Sequence, residues 1–346
     1  GEGRGLEDRI YFTGEEDGGG FNPVGGAEWA LDTATGDFWQ IADMGRGAWE
    51  NVAELDTGTT THVAFLLADD TSPFDPDGDG ESEAAPLYLY VGAKNPDGDF
   101  LERNGLRGGT LYVWVSNGGE ITRLDFRGSG SLEGTWVVID NAPTGAPSED
   151  GSTGFDEYGY PTQRTLWTRA EALGAFGFSR PEDLSTNPFN GGEAALASTG
   201  VDTYAVDAAS GNGADTFGTV YSIEGDFRVL ESPTATLSII YDGDADPARG
   251  LRSPDNLDWA DDGFLYVQED EAEEDTLSGE VLFGEGAANP NEAGIVRLDP
   301  VTGMVKRVAN VDRNVILDAS IDNPNQAIDR DAGFAGEWES SGILDV

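Results

Sequence analysis

Acids dominate the residues that could do chemistry, and they fall into two arrangements. The first is a pair of alternating aspartate runs. Asp75-Pro-Asp77-Gly-Asp79-Gly80 starts as an EF-hand loop starts, with carboxylates at every second position and a glycine at the sharp turn. The bidentate glutamate that such a loop carries at its last ligand position is replaced by Pro86. Asp242-Gly-Asp244-Ala-Asp246 repeats the spacing, with Pro247 at the turn and Ser253 at the last ligand position. Alternate carboxylates in one turn can aim at a single cation, which makes both runs candidate structural calcium sites. The plainer alternative is a solvated acidic loop. The second arrangement lies at the ends of apolar runs: Gly14-Glu15-Glu16, Trp49-Glu50-Asn51, Ser179-Arg180-Pro181-Glu182, Arg252-Ser253-Pro254-Asp255 and Trp338-Glu339-Ser340. Brought together, these acids would hold hard cations, and an arginine among them would clamp an anion. Their alternative is a set of turn caps and salt bridges between elements.

Composition narrows the chemistry further. The chain has 346 residues, 66 acidic against 19 basic, no cysteine and one histidine, for a formal charge of −47. Disulfides, thiolate nucleophiles, iron–sulfur clusters and cysteine-based zinc sites are excluded. A Ser-His-Asp triad has only His62 to serve as base, and no multi-histidine metal site can be built. His62 sits at the start of an apolar run and reads as an ordinary strand-end residue. Nucleic acid is a poor partner, because this surface repels a phosphate backbone. No apolar run is long enough for a membrane-spanning helix. Hydrophobic residues at 38% and eight tryptophans are nevertheless enough for a substantial core. Lysine occurs only at Lys94 and Lys306, and abundant aspartate beside it suits a salty exterior or a calcium-loaded protein. The first residues have no signal-peptide pattern, which is compatible with a processed or excised piece of a longer chain.

The elements that must position these acids are strands. Runs at 9–13, 28–31, 62–67, 87–91, 110–115, 136–139, 219–223, 237–241, 264–268 and 294–298 are rich in Val, Ile, Tyr, Phe and Trp and bounded by Gly, Asp, Asn and Pro. One segment reads as a helix: Thr168-Arg-Ala-Glu171 has the form of a capping box, with Gly174 weakening the helix and Gly177 stopping it. A hairpin repeats: Leu31-Asp-Thr-Ala-Thr-Gly36 matches Leu298-Asp-Pro-Val-Thr-Gly303, each between two strands. Recurring hairpins of this kind form the outer half of a propeller blade. At roughly 40–45 residues per blade, six blades use about 240–270 and leave the acidic connections 72–86, 141–161, 207–217, 269–291 and 314–336 as insertions. The fold class expected is all-β, a single six-bladed β-propeller over residues 1–346 with long acidic loops and one short helix. A pair of β-sandwiches is the competing architecture. In a propeller, equivalent strand ends meet at the central channel, so distant acids can converge there.

The order of the acidic segments resembles the PhoX-type alkaline phosphatases, secreted six-bladed propellers that use calcium and iron. Thr13-Gly14-Glu15-Glu16 is similar to the family's Thr-Cys-Glu-Glu, and Met44–Glu50 to its Met-Gly-Arg-Phe-Ser-His-Glu. Arg180-Pro181-Glu182 and Ser253-Pro254-Asp255 match its Arg-Pro-Glu and Ser-Pro-Asp. Glu339-Ser340-Ser341-Gly342 is similar to its Glu-Val-Thr-Gly. The resemblance implies that Glu50, Glu182, Asp255 and Glu339 hold metals, with Glu15 or Glu16 nearby, and that Arg180 faces a substrate phosphate. Arg46 has two readings, a phosphate contact or a turn hydrogen bond. Two departures stand out. The family's cysteine, an iron ligand, is Gly14 here, and its histidine is Trp49. The family's N-terminal segment and closing strands are also absent from this chain. The implied function is a calcium-dependent, secreted, periplasmic or cell-surface phosphomonoester hydrolase, with iron put in question by the missing cysteine. The alternative is a calcium-binding structural or adhesive protein on the same fold, assembling with itself through exposed sheet edges.

Overall fold

A computed structural model describes residues 3–16, 22–79, 82–148, 152–201, 215–245, 250–270, 274–275, 280–281, 292–312 and 340–344. Four antiparallel meanders follow one another along the chain. The first contains β1 (Ile10–Gly14), β2 (Glu28–Asp32) and β3 (Phe38–Gln40). The second contains β4 (Trp49–Leu55), β5 (His62–Asp69), β7 (Tyr88–Ala93) and β8 (Thr110–Ser116), and it continues into β9 (Gly130–Val138). The short strand β6 (Ala85–Pro86) pairs with β10 (Gly177–Phe178). The third meander runs through β11 (Pro181–Thr186), β12 (Glu193–Ser198), β13 (Thr219–Asp226) and β14 (Thr234–Asp242). The fourth is β15 (Pro254–Trp259), β16 (Leu265–Glu269), β19 (Gly294–Leu298) and β20 (Val305–Asn310), with the short hairpin of β17 (Glu274–Asp275) and β18 (Glu280–Val281) between its middle strands.

These meanders are blades stacked face to face, and the two-residue period of the strands shows it. In β5, Val63, Phe65 and Leu67 join one buried cluster with Trp49, Tyr88 and Leu166. The alternate residues Ala64, Leu66 and Ala68 join a second, with Trp114, Leu196 and Tyr221. In β12, Ala194 and Leu196 share that second cluster, whereas Ala195 and Ala197 belong to a third with Leu257, Trp259 and Leu265. Strands buried on both faces need apolar residues at every position, hence the unbroken run Val63-Ala-Phe-Leu-Leu-Ala68. Each fully buried Leu or Phe in these layers contributes about 1.5–3 kcal/mol. The all-β propeller expected from the sequence is the fold, and all ten strand segments read from it are strands.

The repeated hairpin is reproduced in its hydrogen bonds. Gly36 N donates to Asp32 O at 2.8 Å, and Gly303 N to Asp299 O at 2.9 Å. Both glycines are left-handed, with φ of 81° and 64°. The aspartate side chains accept from Ala34 N and Val301 N, each two residues on. Two features were not legible in the sequence. β9 pairs with β14 through residues 130–135 and with β8 through 134–138, so the second and third blades form one nine-stranded sheet. The helix α2 (Gln163–Ala172) starts earlier than expected, capped by Thr162. Thr168 lies inside it, donating its hydroxyl to Arg164 O at 3.0 Å, and left-handed Gly174 follows its end. A further short helix, α1 (Phe100–Arg103), carries a true capping box between Asp99 and Glu102. No described helix is long and apolar enough to cross a membrane.

Candidate metal centre

The first strands of the second, third and fourth blades begin alike. β4 opens Trp49-Glu50-Asn51, β11 Pro181-Glu182-Asp183 and β15 Pro254-Asp255-Asn256. Each has a register shift at this point, between Trp49 and Asn51, Pro181 and Leu184, and Pro254 and Leu257. A bulge of this kind re-aims side chains at the end of a ladder. The residue after the acid is structural in the third blade: Asp183 accepts from Leu184 N at 2.8 Å and from Leu257 N at 2.7 Å, tying β11 to β15.

The second strand of the second, third and fourth blades ends in a matching doublet, Asp69-Asp70 closing β5, Ser198-Thr199 closing β12 and Glu269-Asp270 closing β16, and Glu15-Glu16 follows β1 in the same way. The first acid of each doublet is consumed by structure. Glu15 accepts from Ala27 N at 3.0 Å and Trp29 Nε1 at 3.1 Å. Asp69, fully buried, accepts from Ala48 N, Thr71 Oγ1, Gln163 Nε2 and Trp167 Nε1 at 2.7–3.2 Å. Glu269 accepts from Arg252 N, Gly294 N and Arg307. The second acids, Glu16, Asp70 and Asp270, interact with the strand-start acids.

Arg180 stands among them. Its Nε is 3.1 Å from Asp70, its Nη2 2.7 Å from Glu182 and its Nη1 3.2 Å from Asp270. Glu182 also accepts from Thr199 Oγ1 at 3.0 Å, and its carboxyl lies within hydrogen-bond reach of Asp255. Glu50 and Glu16 are likewise within reach of each other. One guanidinium therefore pairs with three members of a cluster of six carboxyl groups from four blades. Burial and the neighbouring Glu16, Asp255 and Asp70 push the Glu50 carboxyl up to about 8. Burial and Asp270 push Asp255 up to about 7. Glu182 rises despite its ion pair with Arg180, because burial and Asp70 outweigh a guanidinium divided among three acids.

The remaining predicted residues sort cleanly. Asp75, Asp77 and Asp79 bring carboxylate oxygens within 4.8 Å of one another on the rim of the second blade, in a turn where Gly78 N donates to Asp75 Oδ1. The second ladder is drawn into other bonds. Asp242 accepts from Gly128 N at 2.5 Å and pairs with buried Arg123 at 2.6 Å, while Asp244 accepts from Thr216 N and Phe217 N. Asp246 and Glu339 lie outside the described residues. Ser340, next in sequence to Glu339, accepts from Gln268 Nε2 at 2.6 Å, and Gly342 N donates to Asn256 Oδ1 at 2.6 Å, which sets this segment beside Asp255 and Asp270. Arg46 is bound to Asp156, Nη2 to Oδ2 at 2.6 Å, and takes the structural of its two readings. His62 opens the strand that Asp69 closes, about 23 Å away along β5. Asp70 and Asp270 were missed from sequence; the acid doublets ending alternate strands were the available signal.

The donor set fits a hard cation such as calcium, which takes six to eight oxygens in flexible geometry. It does not fit iron held as the resemblance implies. A Cβ placed on Gly14 would lie 2.0 Å from Trp49 O and 2.6 Å from Trp49 Cβ, so no side chain fits there. The Trp49 ring is buried edge-on against Tyr88, with centroids 5.5 Å apart, and an indole N–H is a donor only.

A β-propeller whose inner strand ends carry a buried, arginine-centred carboxylate cluster is thus the class that fold and site define. The family model for alkaline phosphatase PhoX matches residues 39–315, and the chain belongs to that family. The solved structure of Pseudomonas fluorescens PhoX in complex with vanadate, a transition state analogue, is similar to it, with a TM-score of 0.57 and 17% identity over 82% of this chain. The chain spans about half the length of that structure, 48%. No curated protein matches it in sequence.

Proposed function

We propose that the chain is an exported, calcium-dependent phosphomonoester hydrolase. The observation that carries this reading is the convergence of Glu16, Glu50, Asp70, Glu182, Asp255 and Asp270, three of which, Asp70, Glu182 and Asp270, pair with Arg180. Glu50, Glu182 and Asp255 would hold the cations, with Asp70 and Asp270 completing the shell and Glu339 joining from the C-terminal segment. Asp75, Asp77 and Asp79 would hold a separate structural ion. Bound calcium supplies positive charge that polarises phosphoryl oxygens and stabilises a leaving oxygen. Arg180 presents a planar donor fork suited to two phosphate oxygens. Asp70 and Asp270 hold that fork from the blades before and after its own, so the guanidinium is oriented before an anion arrives. A phosphate ester would compete with these carboxylates for the same N–H groups. Net charge of −47 repels an anionic substrate at long range, and only cations at the centre reverse that locally. Abundant aspartate with scarce lysine suits a salty or calcium-rich exterior.

Metal content and p-nitrophenyl phosphate hydrolysis are measured on one preparation, before and after chelation. The expected result is bound calcium and turnover that chelation abolishes and calcium restores. Glu182→Gln is expected to lose at least 100-fold in turnover while keeping the wild-type circular dichroism spectrum. Tight calcium binding with no turnover would leave the structural, self-assembling reading.

A further inference from the structure

Only two non-glycine residues among those described have positive φ: Arg180 at 54° and Ser253 at 40°. They occupy the same place in neighbouring blades. Each precedes the proline that opens its blade's first strand, where a left-handed backbone is doubly disfavoured. Each accepts, through its carbonyl, the amide one residue past the second strand: Thr199 N to Arg180 O at 3.0 Å, and Asp270 N to Ser253 O at 2.9 Å. The following prolines pair equivalently, Pro181 with Ser198 and Pro254 with Glu269. Matching backbones send the two Cβ atoms the same way relative to their strands. Arg180 reaches the acid two positions on, at 2.7 Å from Glu182, and the acid at the equivalent position after Ser253 is Asp255.

The serine hydroxyl has no hydrogen-bond partner among the described residues, although the residue is fully buried. A buried hydroxyl without a partner is costly, and a strained backbone at the position equivalent to Arg180 calls for a reason. Lone pairs on a neutral oxygen beside Asp255 and Asp270 meet the need of a calcium ion for uncharged ligands among its carboxylates. We propose that Ser253 is a neutral-oxygen ligand of the cation held between Asp255 and Asp270. This rests on the calcium centre proposed above. It also assigns the two strained positions complementary tasks, Arg180 taking the anion and Ser253 the cation.

Two variants separate the hydroxyl from the backbone. Ser253→Ala removes the oxygen and keeps the strain, whereas Ser253→Gly removes both. Chelator-stripped wild-type protein and both variants are titrated with calcium chloride by calorimetry, and thermal unfolding is recorded without calcium. The expected result is that both variants bind at one site about 10–100-fold more weakly than the wild type, while Ser253→Gly without calcium unfolds at a higher temperature than the wild type. Wild-type calcium affinity in Ser253→Gly would overturn the proposal and leave Ser253 a purely structural elbow. A wild type that binds no calcium would overturn the centre itself, a result distinct from failure at Ser253 alone.

Discussion

Glu28 opens β2 opposite Gly14, buried to 1% exposure, with Oε1 lacking any hydrogen-bond partner among the described residues. Burial pushes its carboxyl from 4.5 up to about 8, against the weaker pull of backbone donors from Trp29 and Thr13. The folded chain therefore keeps a proton that the unfolded chain releases near pH 4.5. Between those values the native state binds more protons, so stability falls as pH rises. The contribution is fully present below about 4.5, lost progressively towards about 8, and constant above. Each pH unit in that window removes about 1.4 kcal/mol, so the whole window removes up to about 5 kcal/mol. Glu28→Gln keeps the shape and cannot ionise. Urea midpoints of both proteins at pH 5, 6, 7, 8 and 9, at fixed calcium, give the difference curve in which the other 65 acids cancel. The variant is expected to match the wild type near pH 5 and exceed it by several kcal/mol at pH 8–9. Parallel curves across the range would refute the assignment of a buried neutral carboxyl.

Gly14→Cys, which installs the residue found in the family, is expected to lower stability by about 3 kcal/mol or more, because its Cβ meets the Trp49 backbone at 2.0 Å. Thermal unfolding checks this, and wild-type stability would show that Trp49 yields easily. Arg123, buried between Asp215 and Asp242, is expected to cost about 3–5 kcal/mol on change to Met, since two buried carboxylates lose their cation. Urea unfolding at pH 7 reads that loss, and a change under 1 kcal/mol would count against it.

The parts of this molecule that local chemistry determines were readable from the chain. Hairpins at Asp32–Gly36 and Asp299–Gly303 follow from an Asx cap and a left-handed glycine, both written in sequence. Strands such as β8, Thr-Leu-Tyr-Val-Trp-Val-Ser, follow from β-branched and aromatic runs. The acids Glu50, Glu182 and Asp255 stood out as acids at the ends of apolar runs, and the family resemblance singled them out as metal ligands. What remained hidden depends on which residues meet. Asp69 and Asp70 are identical in type, yet α2 folds over the first and leaves the second to Arg180. Asp242 and Asp244 have the spacing of a calcium loop, but Arg123 and the amides of 216 and 217 reach them first. The helix start was misplaced because Thr168 and Glu171 imitate a capping box in a helix that Thr162 already caps.

The strand β9 has a mechanical consequence. By bridging two blades it makes β4 and β11 the opposite ends of one hydrogen-bonded sheet. Glu50 and Glu182 thus belong to a single cooperative unit, whose opening would break one continuous network. Asp255 and Asp270 sit on a sheet with no ladder to that unit among the described residues. The two units are held together by a shared apolar layer and by side chains such as Asp183, which accepts from Leu257 N, and their acids face each other across the seam. An ion lodged there would act as a rivet between two sheets that no ladder joins among the described residues.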